Sequence, residues 1–121
     1  MAWDVDERKP IYPQLMEKIM KRIIQGEYPL GERIPSVRDL AAEAAVNPNT
    51  MQKAMTELER LELIVTQRGM GRTVTENEEK ILFMKKEIAE KTIKECVESL
   101  KELGYSLEEI EKLISVYTGK N

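Results

Sequence analysis

Two helix starts only eleven residues apart constrain this chain more tightly than any other feature. Ser36 is a strong N-cap with Asp39 three residues later, in capping-box spacing. Asn47 can cap again, with Pro48 in the first helical position, where a missing N–H costs little. The helix between them must end near Ala45, and Val46-Asn47 leaves room for a turn and nothing more. Val37, Leu40, Ala41 and Ala44 give the first helix an apolar stripe; Met51, Ala54, Met55 and Leu58 give one to the second. Two short capped helices with this separation form a helix-turn-helix, and the alanines at 41, 44 and 54 allow close approach. Such a hairpin also fits an ordinary helical domain, so the flanking segments decide its meaning.

Upstream, Tyr12, Leu15, Met16, Ile19, Met20 and Ile23 fall on one stripe and predict a helix over about residues 11–25, with Pro10 and Pro13 at its start and Gly26 at its end. The segment from Tyr28 to Pro35 is rich in turn formers and can hold at most a short extended piece. Downstream, Leu63-Ile64-Val65-Thr66 and Thr73-Val74-Thr75 are β-branched runs around Gln67-Arg68-Gly69-Met70-Gly71-Arg72, whose two glycines suit a hairpin turn. Helix, helix-turn-helix and hairpin in that order describe a winged helix. Arg68 and Arg72 put positive charge at the tip of its wing, where phosphates or a narrow minor groove are within reach.

The residue inventory excludes most chemistry. With no histidine and one cysteine, the chain cannot assemble a Ser-His-Asp or Cys-His site, a zinc finger or an imidazole metal site. Its carboxylates, such as Glu57, Glu59, Glu108 and Glu111, lie on charge-alternating helix faces that are ordinarily solvated. No enzyme, metal or cofactor is expected. Cys96 has no partner for a disulfide and reads as a small buried hydrophobe of a helix. No apolar run approaches the roughly 20 residues of a membrane span, and acidic residues 4, 6 and 7 occupy the place of a signal peptide, so a cytoplasmic protein is the expectation. Residues 1–75 carry eleven basic and eleven acidic side chains, and residues 76–121 carry eight and eleven, so no basic stripe announces a nucleic-acid partner. Position must compensate for the missing net charge.

The residues themselves resemble the DNA-binding domain of the GntR family of bacterial regulators across about residues 9–75. The resemblance rests on PIYPQ at the first helix, PLGERIPSVRDLA at the second, VNPNTMQKAMTELE at the third and RGMGRTV at the wing, all in register. Two departures stand out. Glu62 replaces the glycine that usually ends the third helix, so a different exit turn is expected, and Arg72-Thr73 replaces a small residue and an aromatic in the wing, which is expected to alter its packing.

Beyond the wing, Ile81, Met84, Ile88, Thr92, Cys96, Leu100 and Leu103 mark a long amphipathic helix over about residues 77–103, followed by Gly104. Ser106 and Glu109 open a shorter helix with Leu107, Ile110, Leu113, Ile114 and Tyr117 on its apolar side. The expected fold is therefore mainly α with a small β-hairpin: an N-terminal winged helix-turn-helix over 1–75 and a C-terminal helical hairpin over 76–121. A helical pair this small cannot hide all its apolar side chains, and a symmetric partner covers them most economically, packing on the winged helix being the alternative. A short two-helix tail resembles the YtrA subfamily. That resemblance implies a homodimeric regulator, taken as a repressor, on a pseudo-palindromic operator of an ATP-binding-cassette transporter operon, with a small-molecule effector. Met84, Tyr105 and Tyr117 are the side chains near any such effector, but core packing accounts for them and no ligand site is assigned.

Helical geometry turns Asn49, Lys53 and Thr56 outward once Met51, Ala54, Met55 and Leu58 face in. The family pattern implies DNA contacts from Arg38, Pro48, Asn49, Thr50, Gln52, Arg68 and Gly69, with base contact at Pro48 weakened by the loss of a basic residue. Lys53 and Arg72 join them from the geometry of helix and wing. Asn49 and Gln52 carry amides that can pair bidentately with adenine, and Thr50 and Lys53 suit phosphates. Arg38 opposes the macrodipole of its helix, which favours a phosphate partner over pairing with Glu32 or Glu43. The competing function is a winged helix that binds protein without DNA.

Overall fold

The structure, a computed structural model, describes residues 2–119. Helix α1 (Ile11–Ile24) starts after Pro10 and buries Leu15, Ile19 and Ile23. The expected inward stripe is graded: Tyr12, Met16 and Met20 are half-buried at its margins. Helix α2 (Val37–Ala44) is capped by the Ser36 hydroxyl, which accepts from the Asp39 N–H at 3.1 Å. Helix α3 (Pro48–Arg60) is capped by Asn47, whose side-chain oxygen accepts from the Asn49 N–H at 2.8 Å, with Pro48 in the first turn. The four apolar residues assigned to the inner face of α3, Met51, Ala54, Met55 and Leu58, are all fully buried. Between α2 and α3 the chain turns at Ala45, a non-glycine residue at φ 60 in the left-handed region.

Strands β1 (Ile64–Gln67) and β2 (Gly71–Val74) form the antiparallel wing, in register from Ile64 opposite Val74 to Gln67 opposite Gly71. Gly69 and Gly71 sit at φ 81 and 82, a conformation that bulkier residues rarely adopt, and they reverse the chain around Arg68 and Met70. The connector expected to hold one short extended piece does so. Arg33 bridges Thr73, flanked by the Val74 N–H to Glu32 carbonyl bond at 2.9 Å and the Ile34 N–H to Arg72 carbonyl bond at 3.0 Å. The connector thus runs as a third, one-bridge strand along β2.

The exit of α3 differs from expectation. Glu62 takes the left-handed conformation itself, at φ 62, and the turn closes with the Leu63 N–H on the Leu58 carbonyl at 3.1 Å. The turn geometry therefore persists without glycine. Its strain is of order 1–2 kcal/mol for an L-residue, and the Glu62 carboxylate meets Lys80 Nζ at 2.9 Å. The second departure, Arg72-Thr73, is accommodated by burying Thr73 against the wing while Arg72 turns to α3.

Helix α4 (Glu78–Glu102) and helix α5 (Leu107–Thr118) complete the chain. The capping box at α5 forms as expected: the Ser106 hydroxyl accepts from the Glu109 N–H, and the Glu109 carboxylate accepts from the Ser106 N–H. The chain divides into two compact units, one ending at Met84 and the other beginning at Lys85. In the first, Ile81 and Met84 of α4 are buried along with the winged-helix core; in the second, Ile110 is the buried apolar side chain among the described residues. Cys96 is exposed, which corrects the expectation of a buried small hydrophobe. The α4 face that carries it lies open, since a single chain has too few residues in this unit to cover it.

Candidate nucleic-acid interface

The site is built on the outer faces of α2, α3 and the wing, whose inner faces form the core. Arg38 leaves the first turn of α2 into solvent. Among the described residues its side chain makes no ion pair; Glu43, one of the acids that competed for it, is engaged by Arg22 and by Trp3 Nε1. At the start of α3, Pro48 and Asn49 are exposed and Thr50 is half-buried. Gln52 is exposed with its amide Nε2 donating to Thr56 Oγ1 at 3.2 Å, a bond that orients it along the helix surface. Lys53 is exposed, and its Nζ lies 4.2 Å from the centroid of the Tyr12 ring, so α1 positions this cation through its aromatic face. Arg68 and Gly69 occupy the exposed wing tip.

Arg72 stands apart from the other basic residues of this surface. Its Nε donates to Glu59 Oε1 at 2.7 Å, and Thr66 Oγ1 donates to Glu59 Oε2 at 2.6 Å, so both wing strands are tied to the last turn of α3. Partial burial pushes the Glu59 carboxyl up, but the hydrogen bonds from Thr66 and Arg72 outweigh it and hold the group below the ordinary range.

Arg38, Gln52 and Arg72 converge with Arg33, Thr66 and Gly71 around one open cleft of ≈ 420 Å³ between α2, α3 and the wing. Asn49, Thr50 and Lys53 lie on the α3 surface outside it, and Arg68 lies beyond it at the tip. Arg33 was invisible to sequence reasoning, since it lies in a turn-rich connector with no periodic pattern. Only its pairing with β2 places it here.

Helix-turn-helix, wing and an outward basic surface define a winged-helix DNA-binding protein. The chain belongs to the gntR family of bacterial regulatory proteins, which it matches over residues 11–74. It is 36% identical over 110 residues to the uncharacterized helix-turn-helix-type transcriptional regulator YhcF of Bacillus subtilis, covering 91% of each chain. It is 34% identical over 106 residues to the helix-turn-helix-type transcriptional repressor YtrA of the same organism, covering 87% of this chain and 82% of that one. A GntR family transcriptional regulator from Listeria monocytogenes has a similar structure, with a TM-score of 0.81 at 36% identity, covering 92% of this chain and 97% of that one. This is a family of DNA-binding transcriptional regulators and not of enzymes. Among the described residues no helix is long and apolar enough to cross a membrane.

Proposed function

We propose that the chain is a cytoplasmic repressor that binds a pseudo-palindromic operator as a homodimer held by α4 and α5. The observation that carries the DNA geometry is the placement of Arg38 and Arg68, neither paired among the described residues, on the α2 and wing sides of the exposed start of α3. In this reading Asn49 and Gln52 read base edges in the major groove. Thr50, Lys53 and Arg38 meet phosphates, and Arg68 with Gly69 enters the adjacent minor groove. Arg72 acts at one remove, by fixing the wing to α3 through Glu59.

The homodimer is supported by the apolar side chains left in solvent along the second unit, among them Ile93, Leu103, Leu107 and Tyr117. Exposed apolar series of this extent mark interfaces. Similarity to YtrA, a repressor by name, supports the sign of regulation. Control of an ATP-binding-cassette transporter operon, relieved by a small-molecule effector, completes the reading, and no residues are assigned to the effector.

Genome-wide footprinting, with mobility shift on the recovered fragments, tests it. Protected inverted half-sites upstream of transporter genes, with higher transcript levels when the protein is removed, are expected. Failure to retain any duplex at micromolar protein in low salt would sink the DNA reading and leave a winged helix that binds protein.

A further inference from the structure

The cleft between α2, α3 and the wing contains a cationic side chain that the functional reading leaves unused. Arg33 is exposed and, among the described residues, has no hydrogen-bond or ion-pair partner for its guanidinium. Its backbone is fixed on both sides by the bonds that join the connector to β2. The side chain runs beside Gly71, where a methyl group in place of the glycine hydrogen would sit 3.9 Å from Arg33 Nε. Arg38, also unpaired among the described residues, lines the same cleft, while Arg72 has its charge answered by Glu59. Two unpaired guanidinium groups in one open cleft form an anion site that no carboxylate of the described residues occupies.

The position of the cleft says which anion. A protein that sets a helix in a major groove and a wing tip in the neighbouring minor groove straddles the sugar-phosphate strand between the two grooves. Gln52 of α3 lines one wall of this cleft, and Thr66 and Gly71 of the wing line another. The straddled strand therefore crosses the cleft mouth. We propose that Arg33 is a DNA ligand: with Arg38 it grips one backbone phosphate of that strand, between the base-reading surface and the wing. This rests on the reading of α3 and the wing as groove-binding elements. Guanidinium groups suit the task because their planar donor forks match two phosphate oxygens at once. A phosphate contact at this point fixes register and carries no sequence preference of its own, so Arg33 contributes affinity and alignment.

The test uses the full chain with Arg33→Gln and Arg33→Lys, both checked for native circular dichroism, titrated by fluorescence anisotropy over a range of salt. The duplexes are one selected in vitro from a random pool and one of arbitrary sequence. For Arg33→Gln the slope of log K against log salt is expected to fall in magnitude, by less than the roughly one unit of a wholly lost phosphate contact, because Arg38 still holds the same phosphate. Both duplexes should weaken by a similar factor, and Arg33→Lys should keep most of the slope. Ethylation interference on the wild-type complex should mark a phosphate between the major-groove and minor-groove contacts, a readout that does not depend on either variant folding. An unchanged slope in Arg33→Gln, with Arg68→Ala still losing about one unit, would overturn the role of Arg33 alone. A wild-type chain that binds no duplex would overturn both readings. Inorganic phosphate titrated into the protein without DNA separates the two sources of phosphate. Arg33-dependent phosphate binding with an unchanged DNA slope would assign the cleft to a free ligand and overturn the proposal.

Discussion

Arg72 Nε lies 2.7 Å from Glu59 Oε1, an ion pair that ties the second wing strand to the last turn of α3. The two side chains are about three-quarters withdrawn from solvent, at 25% and 29% exposure, so the pair is screened less than a surface salt bridge. Its consequence is geometric. The wing and the exposed face of α3 are tied together through Glu59, although a two-stranded hairpin alone is marginally stable.

Arg72 and Arg68 should therefore respond differently to substitution. Arg72→Gln is expected to lower stability by about 1 kcal/mol and to weaken DNA binding with little change in salt slope. Arg68→Ala should leave thermal stability unchanged and reduce the slope by about one. Thermal melts and salt titrations of the two variants check this. A slope loss in Arg72→Gln equal to that in Arg68→Ala would make Arg72 a phosphate ligand in its own right.

The turn between α2 and α3 should be improvable at one residue. Ala45 sits at φ 60, ψ 46, where an L-residue pays about 1–2 kcal/mol and glycine pays nothing for sterics. Glycine gives back about 0.4–1 kcal/mol through the freer unfolded chain. Ala45→Gly is expected to raise stability by roughly 0.5–1 kcal/mol as the difference of these terms, measured by urea denaturation. Loss of stability would mean that the methyl group is packed to better effect than its exposed position suggests.

Much of this could be read from the sequence because local rules governed it. The caps at Ser36, Asn47 and Ser106, the inner face of α3 and the wing between Ile64 and Val74 follow from short-range chemistry and period. What escaped depended on contacts distant in sequence. Lys53 could be seen as outward but not as lying over Tyr12, and Arg72 could be placed on the wing but not on Glu59. Arg33 had no periodic neighbours at all. Cys96 was misjudged for another reason: a 3-4 repeat says that a face is apolar, and not whether its cover comes from the same chain.

Acid should loosen the N-terminal segment before it unfolds the domain. The Glu43 carboxylate is held below the ordinary carboxylate range, first by the Arg22 guanidinium, against some burial, and also by Trp3 Nε1, which donates to it at 2.6 Å. Arg22 in turn stacks 4.7 Å from the Trp3 ring centroid. A depressed folded-state pKa means that the contribution of this cluster is full above the unfolded glutamate pKa. It is lost as pH falls through the folded value. Trp3 is the only tryptophan, so its fluorescence reports this step directly. A transition below the usual glutamate range is expected in wild type and absent in Glu43→Gln, while far-ultraviolet circular dichroism stays native through it. Persistence of the transition in Glu43→Gln would assign it to another carboxyl.

The proposed homodimer is tested at the exposed apolar side chains of α4 in the second unit. In the second unit Ala89 and Cys96 are seven residues apart on α4, with Ile93 and Leu100 interleaved at the spacing of a helix-packing seam, and Leu103 follows directly after the helix. Ile93 is 62% exposed and Leu103 74% exposed, so in an isolated chain a charge at either position costs little, within about 0.5 kcal/mol. In a dimer packed through this face the same charge would be taken from water without a partner, at several kcal/mol. Ile93→Glu is therefore expected to keep its helix content and sediment as a monomer at concentrations where wild type is a dimer. Its operator affinity should fall far more than its affinity for a single half-site, because the second half-site is no longer engaged at high effective concentration. Analytical ultracentrifugation combined with titrations on one-half-site and two-half-site duplexes makes the comparison. A variant that remains dimeric would place the interface on another face. A wild-type chain that is monomeric at micromolar concentration would remove the dimer altogether.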